Sequence, residues 1–124
     1  DTTESVLAHV QAVVENDQVT VRGDAENGLN ASAVSDWNAV GFGIIARAIR
    51  ETNKGVVIAP GLMIAGSDTR HYGQIADDSY RFNPMVVTPS DLTGFHGTNE
   101  KIAVDNLANG VRTYMQIIRH AAEK

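Results

Sequence analysis

Residues 56–65 read Val56-Val57-Ile58-Ala59-Pro60-Gly61-Leu62-Met63-Ile64-Ala65, and the fold class turns on their reading. The β-branched run at 56–58 is short and apolar, the pattern of a buried strand. Pro60-Gly61 marks a turn, because proline presets one dihedral and glycine accepts unusual ones. Leu62 to Ala65 then reads as a second short strand. Upstream, Trp37, Val40, Gly41, Ile44, Ile45, Ala48 and Ile49 recur at helical spacing, with Asp36 as N-cap and Asn53-Lys54-Gly55 as the stop. Downstream, Tyr80-Arg81-Phe82 and Met85-Val86-Val87 read as strand pieces on either side of Pro84. Thr88 to Glu100 reads as a loop, and Val104 to Ala122 as a long helix with Leu107, Ala108, Val111, Tyr114, Met115 and Ile118 on one side. Helix, strand, turn, strand, helix predicts the α/β class. In such sheets, sites collect in the loops at the strands' C-terminal ends, and loops 66–73 and 93–100 both follow predicted strands.

The N-terminal segment is a separate unit. Apolar residues at 6, 7, 10, 13 and 14 form a helical stripe, and Asn16-Asp17 stops it. Asp1 or Thr3 is expected to cap its start, with Asp1-x-x-Glu4 resembling a capping box. Val19 and Val21 alternate with Gln18, Thr20 and Arg22, a short strand. Gly23 to Ser35 is small, polar and without periodicity, which reads as a linker. The expected organisation is 1–22, linker 23–35, and 36–124.

Composition narrows the function. The chain has 124 residues, 43% hydrophobic and 20% charged, enough for a core of its own. A net charge of −5 with scattered basic residues argues against nucleic acid, which needs clustered Lys and Arg. Without cysteine there is no disulfide and no thiolate metal site, and the compartment stays open. The most apolar stretch, Val56 to Gly66, is well short of the ~20 residues of a spanning helix. No signal-peptide pattern opens the chain, and the missing initiator Met predicts a processed product or cut fragment.

Several residues carry possible chemistry. Gly41-Phe42-Gly43-Ile44-Ile45-Ala46 fits the G-x-G-x-x-A dinucleotide fingerprint. That fingerprint works only where a strand gives way to a helix, whereas these glycines read as lying within one, for close packing. His9 reads as a stripe-edge residue, and His120 as a last-turn cation favoured by the helix dipole. Gly66-Ser67-Asp68-Thr69-Arg70-His71 sets an acid, a cation and an imidazole side by side. Its structural reading is a helix start capped by Ser67 or Asp68, with Arg70 paired to Asp77 or Asp78. Its functional reading makes Arg70 a bidentate fork for a carboxylate, held by Asp68. His96 lies in Thr93-Gly94-Phe95-His96-Gly97-Thr98-Asn99-Glu100. Alone it is an ordinary loop histidine. With flanking glycines for close approach, and Asn99 and Glu100 to orient it, it is a candidate metal ligand.

P-G-L-M-I-A-G-S-D-T-R-H-Y, then Y-R-F-N-P, then F-H-G-T-N-E, then a closing helix, resemble the C-terminal part of the zinc-dependent aminoacylase and carboxypeptidase S family of metallopeptidases, nearest the carboxypeptidase S-like branch. The resemblance implies a mixed sheet flanked by helices in an α/β catalytic domain, interrupted by a lid. Residues 1–22 would be the lid's last helix and strand, and 36–124 the closing part of the catalytic domain. It implies two zinc ions in the complete enzyme and hydrolysis of an amide bond next to a free carboxylate, in N-acyl amino acids or at peptide C-termini. His96 would be a zinc ligand, and Arg70 with Gly66 and Asp68 would bind the substrate carboxylate. The family's other ligands, a His-x-Asp motif, a bridging Asp, a Glu-Glu pair and a further acid, are not in this chain. Ser67 stands where Thr is usual, and Trp37-Asn38-Ala39-Val40 is less typical.

The expected function is thus part of a zinc amidohydrolase or carboxypeptidase, with the isolated chain inactive and only weakly zinc-binding. A rival reading is a self-contained metal site from Asp68, His71 and His96. The residues also admit a non-catalytic α/β association module, pairing with itself or with a missing N-terminal portion, and, less readily, a nucleotide-binding domain.

Overall fold

A computed structural model describes residues 2–24 and 30–123. Expectations on Asp1 and on the middle of the linker lie outside the described residues. The chain divides into two compact units, Asp1–Val34 and Ser35–Lys124.

In the first unit, helix α1 runs Thr3–Val14. Its cap is Thr2, one residue before the expected Thr3. Thr2 is extended, its hydroxyl accepts from Ser5 N at 3.2 Å, and Thr2 N donates to Ser5 Oγ at 2.9 Å. This reciprocal pair satisfies two helix-end donors. Glu15 ends the helix in the left-handed region, φ 44°. Val19–Val21 is not a strand. Val19 N and Gln18 N donate to the backbone and side-chain oxygens of Asn16, which makes a turn instead. His9 is exposed on α1, in keeping with a residue at the edge of the apolar stripe.

The second unit is built on α2, Val40–Thr52, against α4, Val104–Ala122. Helix α2 starts later than Trp37, because the Asp36 carboxylate accepts from Asn38 N at 2.8 Å and Ala39 N donates to Asp36 O at 3.2 Å. That turn occupies 36–39 and leaves Trp37 exposed. Small residues let the helices close on each other: Ala46 and Ala48 are buried on α2, and Gly110 and Thr113 on α4. Polar groups in the seam are paired, as burial requires. The Thr113 hydroxyl contacts that of Thr52 at 2.8 Å and donates to Asn109 O at 3.0 Å, while Asn109 Nδ2 donates to Asn53 Oδ1 at 2.7 Å.

Residues 78–86 run across this pair. Asp36 N donates to Asp78 Oδ1 at 2.7 Å, Tyr80 OH donates to Asp36 O at 2.7 Å, and Ser35 Oγ bonds both backbone groups of Ser79. The Tyr80 ring meets Phe42 edge-on at 5.9 Å, and Phe82 meets Tyr114 similarly at 6.4 Å. The Asn106 amide donates to Val86 O at 2.7 Å and accepts from Val86 N at 2.9 Å.

Among the described residues there is no strand. The segments expected as strands, 56–59, 62–65, 80–82 and 85–87, have no ladder partner, and a β-former without a neighbouring strand has nothing to bond. Val57 and Ile64 are 94% and 98% exposed, so the burial that the apolar run predicts is not supplied by the described residues. The expected loop 88–100 contains a short helix α3, Pro89–Leu92.

Candidate functional site

The Arg70 loop is a capped turn. Asp68–Tyr72 forms a 3-10 helix with Ser67 as N-cap. Ser67 Oγ accepts from Thr69 N at 3.4 Å and from Thr69 Oγ1 at 3.2 Å, and Arg70 N donates to Ser67 O at 3.3 Å. The capping half of the structural reading is therefore observed. Its ion pair is not. Asp78 is occupied by Asp36 N, and among the described residues Arg70 is in no salt bridge. Asp68 does not hold the fork either. Arg70 Nε donates to His71 Nε2 at 3.3 Å, which fixes the base of the guanidinium and leaves its two terminal nitrogens unpaired among the described residues. Arg70 is exposed, and a Cβ added at Gly66 would meet nothing within 4 Å, so the loop is open to a ligand. A planar fork with two free donors matches a carboxylate.

The His96 loop is a series of turns anchored at Thr88. Thr88 N and Oγ1 donate to Asp91 Oδ2 at 2.8 and 2.6 Å. These bonds hold the Asp91 carboxyl below its usual value. Gly94 N donates to Asp91 O and Gly97 N to Gly94 O. The left-handed positions are His96, φ 57°, and Asn99, φ 63°, rather than the flanking glycines on which the sequence directs attention. Histidine and asparagine are among the side chains that tolerate that region, and such outliers concentrate at functional sites. No local sequence signal marks which residue of G-F-H-G-T-N takes the left-handed turn. His96, Asn99 and Glu100 are all exposed, and among the described residues neither Asn99 nor Glu100 hydrogen-bonds to His96.

No hydrogen bond or ion pair among the described residues ties the two loops together. Nor does any group of three or more His, Asp or Glu residues there come close enough to hold a metal ion. The self-contained site from Asp68, His71 and His96 is thereby overturned, because its donors do not converge. Zinc, which the resemblance implies, does not fit the described residues alone, since a catalytic zinc takes three protein ligands and no three of their His, Asp and Glu side chains converge around His96.

The remaining motifs resolve differently. Gly41 lies inside α2, and a Cβ there would sit 2.8 Å from Tyr80 Cε2, so close packing explains it, whereas Gly43 faces open space. No strand precedes them among the described residues, which removes the context a dinucleotide fingerprint needs. His120 is more than a last-turn cation. It is buried, its Nε2 lies 2.7 Å from Glu51 and its Nδ1 3.2 Å from Glu123, and Arg47 bonds both carboxylates. The partner Glu51 is 69 residues away, beyond any sequence pattern. A shallow cavity of about 290 Å³ adjoins the Arg70 loop, lined by Met63, Ser67, Thr69 and the run Tyr80 to Asn83. Among the described residues, no helix is long and apolar enough to cross a membrane.

Comparison with known proteins gives the class. The chain matches Peptidase family M20/M25/M40 over residues 4–120 and belongs to that family. Among individual relatives, it is 41% identical over 88 residues to the N-fatty-acyl-amino acid synthase/hydrolase PM20D1 of Mus musculus, covering 70% of this chain and 18% of that protein. It is 32% identical over 120 residues to the probable carboxypeptidase S-like 2 of Dictyostelium discoideum, covering 97% of this chain and 23% of that protein. A Danio rerio relative, N-fatty-acyl-amino acid synthase/hydrolase PM20D1.1, is 30% identical over 122 residues, 97% of this chain and 23% of that protein. The chain thus spans about a fifth of the length of these curated relatives. No solved structure matches it significantly.

Proposed function

We propose that this chain is the C-terminal part of a metallopeptidase-type hydrolase that cleaves an amide bond next to a free carboxylate, in an N-acyl amino acid or at a peptide C-terminus. The observation that carries the reading is Arg70, fixed through Nε on a capped turn with both terminal nitrogens unpaired among the described residues, in a chain of this peptidase family. Relatives named as N-fatty-acyl-amino acid hydrolases and carboxypeptidases act on substrates that carry such a carboxylate. Arg70 anchors that group, with Asp68 and Gly66 shaping the loop. His96 supplies one zinc ligand, supported by Asn99 and Glu100, and the remaining donors come from outside this chain, which is inactive alone. Residues 1–22 are the end of the lid, 23–35 the linker, and 36–124 the closing part of an α/β catalytic domain whose sheet pairs the extended segments with strands from elsewhere.

The test uses the complete protein. Arg70→Ala lowers kcat/KM for an N-acyl amino acid by about 100-fold, because a site built for a bidentate partner loses heavily without it. The same substrate with its carboxylate amidated is cleaved equally poorly by wild type and variant. Equal turnover of the acid by both refutes the assignment.

One observation favours a second reading, that of an association module. Large apolar residues lie exposed on α4 at Val104, Leu107, Val111 and Ile118, and in the segment 56–65. Such a face seeks a partner, and the partner we assign is the N-terminal portion of the same domain. Sedimentation of the 124-residue chain with and without that portion tests this; a monomer that ignores it counts against the reading.

A further inference from the structure

We propose that His71 is a positioning residue for Arg70: by accepting from its Nε, the imidazole turns the guanidinium end-on, so that a substrate carboxylate meets the two terminal nitrogens. This rests on the carboxylate reading of Arg70 and adds to it the group that aims the fork. A guanidinium can hold a carboxylate in two planar ways, with Nε and one terminal nitrogen or with both terminal nitrogens. Arg70 Nε donates to His71 Nε2 at 3.3 Å, which closes the first way. Both terminal nitrogens are unpaired among the described residues, which leaves the second way open.

His71 thus does what the sequence suggested for Asp68, and an imidazole suits the task better. A carboxylate beside Arg70 would compete with the substrate's own carboxylate for the same donors. An imidazole nitrogen takes one donor and brings no negative charge. To accept at Nε2, the ring keeps its hydrogen on Nδ1. The backbone that carries both side chains is held at each end of the turn. Ser67 caps its start, and Tyr72 O accepts from Ile75 N at 2.9 Å and from Ala76 N at 3.0 Å at its end. An exposed arginine otherwise has many rotamers to lose when it binds a ligand. Fixing Nε beforehand removes part of that loss, so the gain appears in affinity for the carboxylate.

The experiment measures kcat and KM of the complete protein on N-acetyl-leucine, a probe that carries the carboxylate. His71→Phe keeps a planar ring and removes the acceptor. KM is expected to rise about fivefold with kcat unchanged, the scale of one hydrogen bond. His71→Gln is expected to restore KM, because the glutamine carbonyl reaches the place of Nε2. His71 is exposed, so neither change disturbs the core. A double variant shows whether His71 acts through Arg70: in an Arg70→Ala background, His71→Phe is expected to have no further effect. An unchanged KM in His71→Phe, a loss that His71→Gln fails to repair, or an equal loss with and without Arg70 overturns the proposal. Arg70→Ala alone separates the two readings. If it spares N-acetyl-leucine, the carboxylate reading itself falls; if it slows turnover while His71→Phe does nothing, only the positioning role falls.

Discussion

Two helical glycines are expected to respond oppositely to the same methyl group. Both Gly41 and Gly110 lie in helices, where glycine is about 1 kcal/mol worse than alanine. At Gly110 a Cβ would meet Pro84 Cγ at 3.5 Å and Met85 Cγ at 3.9 Å, ordinary contacts. Gly110→Ala therefore keeps most of the propensity gain and stabilises by about 1 kcal/mol. At Gly41 the Cβ would lie 2.8 Å from Tyr80 Cε2, about 1 Å inside the optimal carbon–carbon separation. The ring cannot simply swing aside, because its hydroxyl is bonded to Asp36 O and its edge meets Phe42. Overpacking of this kind costs about 1–3 kcal/mol, and loss of the hydroxyl bond adds about 1. Against the propensity gain, Gly41→Ala destabilises by about 1–3 kcal/mol. For a unit of this size 1 kcal/mol moves Tm by about 4–8 °C, so thermal denaturation by circular dichroism resolves the two variants. A Gly41→Ala protein as stable as wild type, or a Gly110→Ala protein that melts lower, refutes the packing argument.

Further expectations concern the helix seam and the metal. Thr113→Val removes the hydroxyl contact with Thr52, which can still donate to Ala48 O at 2.9 Å; the loss is about 1 kcal/mol in chemical denaturation, and Thr113→Ser retains the bond. The Glu51 and Glu123 carboxyls are held below the ordinary 4.5, first by their bonds to His120 and further by Arg47. Groups with depressed folded values contribute stability that is present above the unfolded value and lost as pH falls through the folded one. Tm of the chain is therefore expected to fall on acidification below about pH 4.5, and Glu51→Gln with Glu123→Gln to flatten that fall. Calorimetric titration of the isolated chain with zinc is expected to show only weak binding that His96→Ala abolishes; tight binding would mean that the donors converge after all.

What was legible in the sequence follows from the range of the interactions involved. The helices at 3–14, 40–52 and 104–122 were readable because an apolar stripe and its stops are local. Their starts were less so: Asp36 makes a turn instead of a cap, and Thr2 caps in place of Thr3, because several small polar residues compete for the same donors. Val56–Ala65 has the residues of strands, yet a strand exists only when another backbone completes it, and none among the described residues does. At the site, the Ser67 cap was visible in the sequence, whereas the Arg70–His71 contact and the left-handed His96 depend on local geometry that residue types leave open. Burial of His120 between Glu51 and Glu123 depends on where two distant helices meet.

The bond pattern at Asn106 has a topological consequence. One amide side chain occupies both the donor and the acceptor of Val86. On that side the backbone of Val86 offers an incoming chain nothing to pair with. Any sheet growing toward residues 85–87 must end before that edge or evict the asparagine, so Asn106→Leu is the change that would let it spread one residue further.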